Sequence, residues 1–535
     1  MVRNGQPTDR QSSVLTVTHM ITTLKIRVRD RASRRYFGAY LGGKMAGLGV
    51  VMLGMWALAW YFNTKAGAAM LGQTAATKAD DIVNPLNTVW VLVAAFLVFF
   101  MQAGFMMLEA GFGRTREVSN IMLECIADTC LCGLLFWAFG FAFMFGSGNG
   151  WIGHTYFFLN NAPATYGSSG IAFLAFFLFQ FAFADTCSTI TSGAMVGRTA
   201  FGGDLVYSTA VSGFIYPIVG HWIWGPDGWL ATMKTPFRDF AGSTVVHTIG
   251  GMIALAGAIA LGPRIGRKFK RDGGGMPPGH DMILASLGGV ILWFGWYGFN
   301  PGSTLSAMDF GGIGRVATNT TLAACSAGLV AMFYVYPRSH KWDTGITING
   351  FLAGLVAITC PCYWVSPFGA ICIGAIAAVV MVLAVDFVEW MRVDDPIGAV
   401  AVHGACGIFG TISLGLFATG QYGLPGPTGA DTSVRVEGLF YGGGAKQLGV
   451  QILGSAVVTI SVFVIALIVM YAVKAMGILR ISEEIELGGI DLHEHGAPAY
   501  HPEFAFMGHS AIPSGDGPRA PSPMSGAGTR LGVGD

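Results

Sequence analysis

The chain has 535 residues and a net charge of +1; only 11% of them are charged and 53% are apolar. Soluble domains carry about 25% charged residues, so this chain cannot clothe itself for water, and lipid must be its main solvent. Disorder and a collagen-like repeat are excluded by the apolar content and the lack of a G-X-Y period, while near-zero net charge leaves no footprint for a nucleic-acid partner. The 78 glycines are about twice the usual share, which suits membrane helices whose backbones approach closely.

Residues 1–80 begin with a basic run (Lys25, Arg27, Arg29, Arg31, Arg34 and Arg35), then turn apolar from Met45 to Phe62 and small through Ala79. This reads either as a secretory signal peptide or as an extra transmembrane helix. Residues 81–480 form the predicted transmembrane domain. Its eleven apolar spans are 88–110, 122–147, 168–196, 204–224, 243–262, 281–300, 316–337, 345–363, 368–389, 398–418 and 446–477. Each must be helical, because other backbone would leave N–H and C=O groups unpaired in lipid. The fold class is therefore an all-α polytopic membrane protein.

Loops after odd-numbered spans hold eleven Lys and Arg against five after even-numbered spans. By the positive-inside rule the odd loops are cytoplasmic, so the core starts outside and its C-terminus lies inside. Residues 481–510 read as a polar cytoplasmic segment, and 511–535 as a disordered Gly/Pro/Ser-rich tail.

The nine cysteines lie mostly within apolar runs without zinc-like spacing, and read as buried thiols rather than metal ligands. Two polar patterns recur. Asp239 precedes His247 by eight residues in DFAGSTVVHTIGG, and Asp395 precedes His403 by eight in DPIGAVAVHGACG. Each His is followed four residues later by glycine, Gly251 and Gly407. The patterns open the fifth and tenth spans, which implies two five-span halves inverted in the membrane with a site at their interface.

Each His falls about 12 Å along its helix from the Asp, near the bilayer midplane, where ionisable groups usually line a pathway. Two imidazoles brought together can share a proton and stay neutral, offering donor and acceptor to a small polar molecule. The aromatics of WFGWYGFNPGS (Trp293, Trp296, Phe299, with Ser303), Trp224, and FQFAFADT (Gln180, Phe183) read either as a membrane-face belt or as a cation–π site completed by a hydroxyl.

Together, FMQAGFMMLEAGFGRTREVSN, FQFAFADTCSTITSGAMVGR, DFAGSTVVHTIGG, WFGWYGFNPGS, DDPIGAVAVHGACGIFGT and GGIDLHEHGAPAY make the chain resemble the ammonium transporter/methylammonium permease/Rhesus superfamily, in its ammonium transporter branch. The resemblance covers about residues 87–500. It implies an eleven-helix fold with an inverted 5+5 repeat, assembled as a homotrimer with one pore per protomer, in an inner or plasma membrane and serving nitrogen uptake. Carried over by motif position, Trp224, Phe183 and Ser303 form an external ammonium recruitment site supported by Asp239. Phe183 and Phe299 form the gate, Trp296 lines the pore mouth, and His247 and His403 are twin pore histidines. The resemblance implies capture of NH₄⁺, deprotonation, and passage as NH₃, without cofactor or metal. A PII-type regulator at the cytoplasmic tail is a further implied partner.

Two residues depart from the family pattern. Asp185 stands where a small apolar residue is usual, and either faces a neighbouring helix or alters cation affinity near the gate. Gly197 replaces a usual acidic residue before Arg198. In the tail, His493 and His495 read as solvated. Rival functions are an ammonium sensor, against which stands the lack of a recognisable kinase or cyclase domain after Glu503, and a channel for another small neutral molecule such as CO₂. No nucleophile–base set or cofactor motif points to an enzyme.

Overall fold

The structure, a computed structural model, describes residues 80–500 together with Leu53. Apart from Leu53 and Asp80, the leader expected within 1–80, as signal peptide or extra helix, lies outside the described residues, as does the disordered tail expected over 511–535. Within them the fold is helical, with isolated β-bridges and no strand.

The long helices in chain order are α1 (Asp80–Phe112), α2 (Thr115–Phe145), α3 (Phe173–Gly193), α4 (201–224), α5 (Ser243–Leu261), α6 (Met282–Phe299), α7 (Phe310–Ser339), α8 (Thr344–Thr359), α9 (Pro367–Trp390), α10 (Val400–Phe417) and α11 (Lys446–Ala475). Among the described residues nine are long and apolar enough to cross a membrane. The other two, α4 and the shorter α8, coincide with the remaining expected spans. The third begins later than its apolar run, because residues before it close a bridge between Thr165 and Ala172 and turn at Gly170 with φ +68°.

Side-chain caps fix several starts. Asp281 accepts from the amides of Ile283 and Leu284, Asp309 from Gly312, Asp343 from Ile346 and Ser366 from Gly369. Each satisfies amides that a helix start leaves unpaired. The outer faces are apolar, with Phe96, Ile283, Phe368 and Ile468 exposed. A surface of this kind belongs against lipid or another apolar face, and the chain is a multi-pass membrane protein.

Glycine serves the packing that its abundance suggested. α1 lies along α6 through Gly104, Gly111, Gly288 and Gly298; a Cβ on Gly111 would come 2.4 Å from the amide nitrogen of Ala285. α5 lies along α10 in the same reciprocal way. Both pairs match a helix of the first five with its counterpart in the second five. The cysteines are less uniformly buried than expected. Cys130 and Cys325 are exposed and Cys372 half-buried, because their faces of α2, α7 and α9 point out of the bundle.

The C-terminal segment docks at the end of the bundle where α1, α3 and α5 finish. Residues 198–200 and 479–481 exchange main-chain hydrogen bonds, Arg480 donates to the carbonyls of Leu261 and Pro263, and Glu486 accepts from the amide of Ile265. Asp491 accepts from the amides of Ser119 and Asn120 at the start of α2. His493 is exposed as expected, but His495 is not a solvated tail residue: it bonds Asn120 and meets the Phe201 ring edge-on.

The same end carries buried ion pairs. Asp394 is bound by both Arg264 and Arg267, and Arg198 donates to its carbonyl at 2.6 Å. Burial alone would raise the Asp394 carboxyl, yet the Arg264 hydrogen bonds and the charges of Arg198 and Arg264 hold it well below the usual carboxylate range.

Candidate functional site

The two Asp–His patterns fold alike. The Asp239 carboxylate accepts from the amides of Gly242, Ser243, Thr244 and Val245 at 2.8–3.1 Å. The Asp395 carboxylate accepts from Gly398, Ala399 and Val400 at 2.9–3.1 Å. Gly242 and Gly398 have φ +117° and +82°, a left-handed turn that glycine alone enters without strain. Burial raises both carboxyls, Asp395 to about 6, while the capping amides pull the other way. This shared Asp-x-x-Gly start was present in both sequence patterns and is a signal that spacing from Asp to His alone overlooked.

Each capped start leads into a widened turn with the histidine near its end, Ser243–Thr248 in α5 and Val400–Ala405 in α10. Such wide turns are uncommon and cluster at functional sites. They bring the two histidines together: their Nδ1 atoms lie 3.2 Å apart. A contact between two such nitrogens holds one proton, so one ring presents an acceptor Nε2 and the other a donor Nε2–H. His247 Nε2 is buried without a protein partner.

The aromatic residues form a ladder ending on this pair. Trp224 meets Phe183 edge-on at 6.0 Å, Phe183 stacks on Phe299 at 4.0 Å and 20°, and Phe299 stacks on His247 at 5.4 Å. His247 is followed by His403 at 5.2 Å and then Phe105 at 6.4 Å, a ring the sequence reading did not single out. Trp296 is fully buried flat against His247 at 5.2 Å, with its indole N–H held by Thr359. It therefore flanks the histidine.

The remaining site residues sit at the Trp224 end. The Trp224 indole donates to the Asp239 carbonyl at 2.7 Å, so the Asp239 turn positions the indole while its carboxylate is engaged by amides. Ser303, half-buried in the turn after α6, donates to the Phe299 carbonyl at 2.8 Å, which leaves its oxygen lone pairs free to accept. Trp293 packs on Phe351 away from the ladder.

Asp185 follows Phe183 by two residues and is fully buried. Its carboxyl faces Thr129 on α2 and Gln102 on α1, so it looks into neighbouring helices. Gly197 also has a structural account. The Glu117 carboxylate lies where a side chain at 197 would go, 2.3 Å from a Cβ there, and is paired with Arg114. The space beside Gly197 is therefore filled by an acidic group from the start of α2.

The sequence profile of the Ammonium Transporter Family matches residues 89–500. The chain belongs to this family. Ammonium transporter Amt2 of Archaeoglobus fulgidus is 43% identical over 436 residues, covering 80% of this chain and 90% of that protein. Ammonium transporter 1 member 3 of Solanum lycopersicum is 40% identical over 78% of this chain and 94% of that protein. Among solved structures, that of a Sensor Amt Protein superposes with a TM-score of 0.70 at 37% identity, covering 78% of this chain and 99% of that one. Candida albicans Mep2 superposes with a TM-score of 0.67 at 28% identity, covering 75% and 87%. Membership of the ammonium transporter family gives the chain a transport role in a membrane, not an enzymatic one.

Proposed function

We propose that the ring ladder is the conduction path for ammonium. NH₄⁺ is recruited between the faces of Trp224 and Phe183, where cation–π attraction and a hydrogen bond donated by an ammonium N–H to the Ser303 oxygen replace part of its hydration. It gives one proton to water on the outer side of the stacked Phe183 and Phe299, forming hydronium, since a bare cation would not recover its desolvation cost in the tube beyond. Neutral NH₃ then passes as the gate rings part, meeting one acceptor and one donor nitrogen on the His247–His403 pair. Asp239 supports recruitment by fixing the Trp224 indole. The observation that carries this reading is the His247–His403 contact at the end of the ladder, built from equivalent positions of the two repeats.

The assembly is a homotrimer with a pore in each protomer, in an inner or plasma membrane. The core N-terminus is outside and the docked C-terminal segment is cytoplasmic, within reach of a PII-type regulator. The test is labelled methylammonium uptake, with ammonium-evoked current, in a host lacking its own transporters. Saturable uptake is expected, and well-expressed protein without an ammonium-dependent signal would end the reading. A sensor is the second reading, motivated by the superposition on the Sensor Amt Protein at a TM-score of 0.70. It predicts ammonium-dependent signalling that persists in a variant without flux.

A further inference from the structure

Five carboxyl groups lie inside α1–α4, away from the ring ladder. They are Glu109 on α1, Glu124 and Asp128 on α2, Asp185 on α3 and Asp204 on α4, none more than 3% exposed. Asp204 is within electrostatic reach of Glu109, Glu124 and Asp128, and Asp128 of Asp185. Among the described residues none of the five has an ion-pair partner. Both oxygens of Asp128 and Asp185, and one each of Glu109 and Asp204, lack any hydrogen-bond partner.

A second set of groups points at the same interior. The Ser208 hydroxyl faces Asp128 and the Gln102 amide nitrogen faces Asp185, both enclosed and with no other partner. The Gln102 oxygen is held by Thr189, which leaves its nitrogen for Asp185. Of the basic side chains at the start of α2, Arg114 pairs with Glu117, and Arg116 donates from Nη1 to the Leu487 carbonyl and forms no ion pair. The other titratable groups facing the column include Glu117, the thiols of Cys125 and Cys132, and the Tyr207 hydroxyl, which bonds Asp204. Asp491 is occupied by backbone amides.

Unpaired carboxylates at this depth are too costly to keep charged, so they require a cation. No group of three or more His, Cys, Asp or Glu among the described residues is arranged to hold a metal ion. The proton is the cation that fits.

At the tail end, Asn120 donates to Glu124 at 2.8 Å and its oxygen is 2.8 Å from His495 Nε2, which must be the donor. The docked C-terminal segment thereby closes the end of the column. We propose that the carboxyls of α1–α4 form a proton-binding column beside the conduction path, latched at its tail end by the His495–Asn120–Glu124 contact. Each carboxylate there holds one proton of its own: an O–H bond forms on one carboxylate oxygen as an O–H bond of hydronium breaks, releasing water and leaving the carboxyl neutral. The tail end is cytoplasmic on the orientation proposed above, and only that label rests on the transport reading.

The test is infrared difference spectroscopy of the full-length protein in lipid nanodiscs, following the C=O stretch of protonated carboxyls. At neutral pH the band is expected, losing intensity separately in Asp128→Asn, Asp185→Asn and Glu109→Gln. A wild-type spectrum without it, or a band unchanged in all three variants, overturns the column. His495→Ala alters only the docked segment, so it tests the latch without risking the bundle. Deuterium exchange of the carboxyl band should become about threefold faster or more, and an unchanged rate overturns the latch. Neither readout uses ammonium flux, so failed uptake and a failed column are distinguishable.

Discussion

Gly251 rests on the backbone of Gly404: a Cβ built on Gly251 would come 2.3 Å from the Gly404 nitrogen. The reciprocal contact holds at Gly407, whose Cβ would come 2.5 Å from the Ser243 carbonyl oxygen and 2.6 Å from Thr248 Oγ1. Each glycine, four residues past its own histidine, thus seats beside the other histidine. These seats set how closely α5 and α10 cross. Gly251→Ala should push the helices apart, costing about 1–3 kcal/mol as overpacking does. Detergent melting should show the loss together with reduced uptake; wild-type values for both would mean that the crossing is not set there.

The shared proton gives the histidine pair a directional prediction. His247→Ala or His403→Ala removes one of two complementary nitrogens and one rung of the ladder, without touching the outer faces. Either should change uptake rate or methylammonium-to-ammonium selectivity severalfold while the oligomer elutes unchanged. If both variants keep the wild-type rate and selectivity, the pair does not contact the permeant.

Much of this arrangement is legible in the sequence, because membrane helices announce themselves by apolar length and the repeat by its Asp–His spacing. The helices α1–α11 fall on the expected spans, and the histidines meet where two repeated patterns implied. Widened turns leave no mark in composition, so the exact stacking of Trp296 on His247 was not readable. The carboxyl column was hidden for another reason. Its five members come from four apolar runs, two of them from α2, and are isolated anomalies until α1–α4 bring them together. Glu117 filling the space at Gly197 is likewise a contact between positions eighty residues apart.

Asp239 has two structural tasks, capping α5 and holding the Trp224 indole through its carbonyl. Asp239→Ala should leave four amides uncapped and cost at least about 2 kcal/mol locally. Because the turn carries Trp224, uptake should be abolished. Asp239→Asn keeps one acceptor oxygen and should retain part of the activity. Uptake at the wild-type level from Asp239→Ala would refute the positioning role.

The Asp394 cluster predicts an acid limb of stability. Its folded-state carboxyl is depressed, so its contribution is complete above the unfolded-state value, about 3.9. That contribution is lost as pH falls below this value towards the folded-state one. Melting temperature should therefore show no loss from this group between pH 8 and 5, and fall below about pH 4. Asp394→Asn should remove this part of the acid limb and destabilise at neutral pH by about 3–5 kcal/mol, since Arg264 and Arg198 remain buried. Identical melting profiles for variant and wild type would rule the cluster out as a stabilising unit.

The Glu117–Gly197 contact separates two costs usually measured together. Gly197 has φ +81°, and the Glu117 carboxylate occupies the space a Cβ would need. Gly197→Ala should therefore lose about 1–2 kcal/mol to left-handed backbone, plus a steric cost against Glu117 of about 1–3 kcal/mol. In a Glu117→Ala background the steric part disappears and the backbone part remains. A double-mutant cycle on melting free energies should then give a coupling of at least about 1 kcal/mol. Strict additivity would mean that Glu117 swings clear of the added methyl.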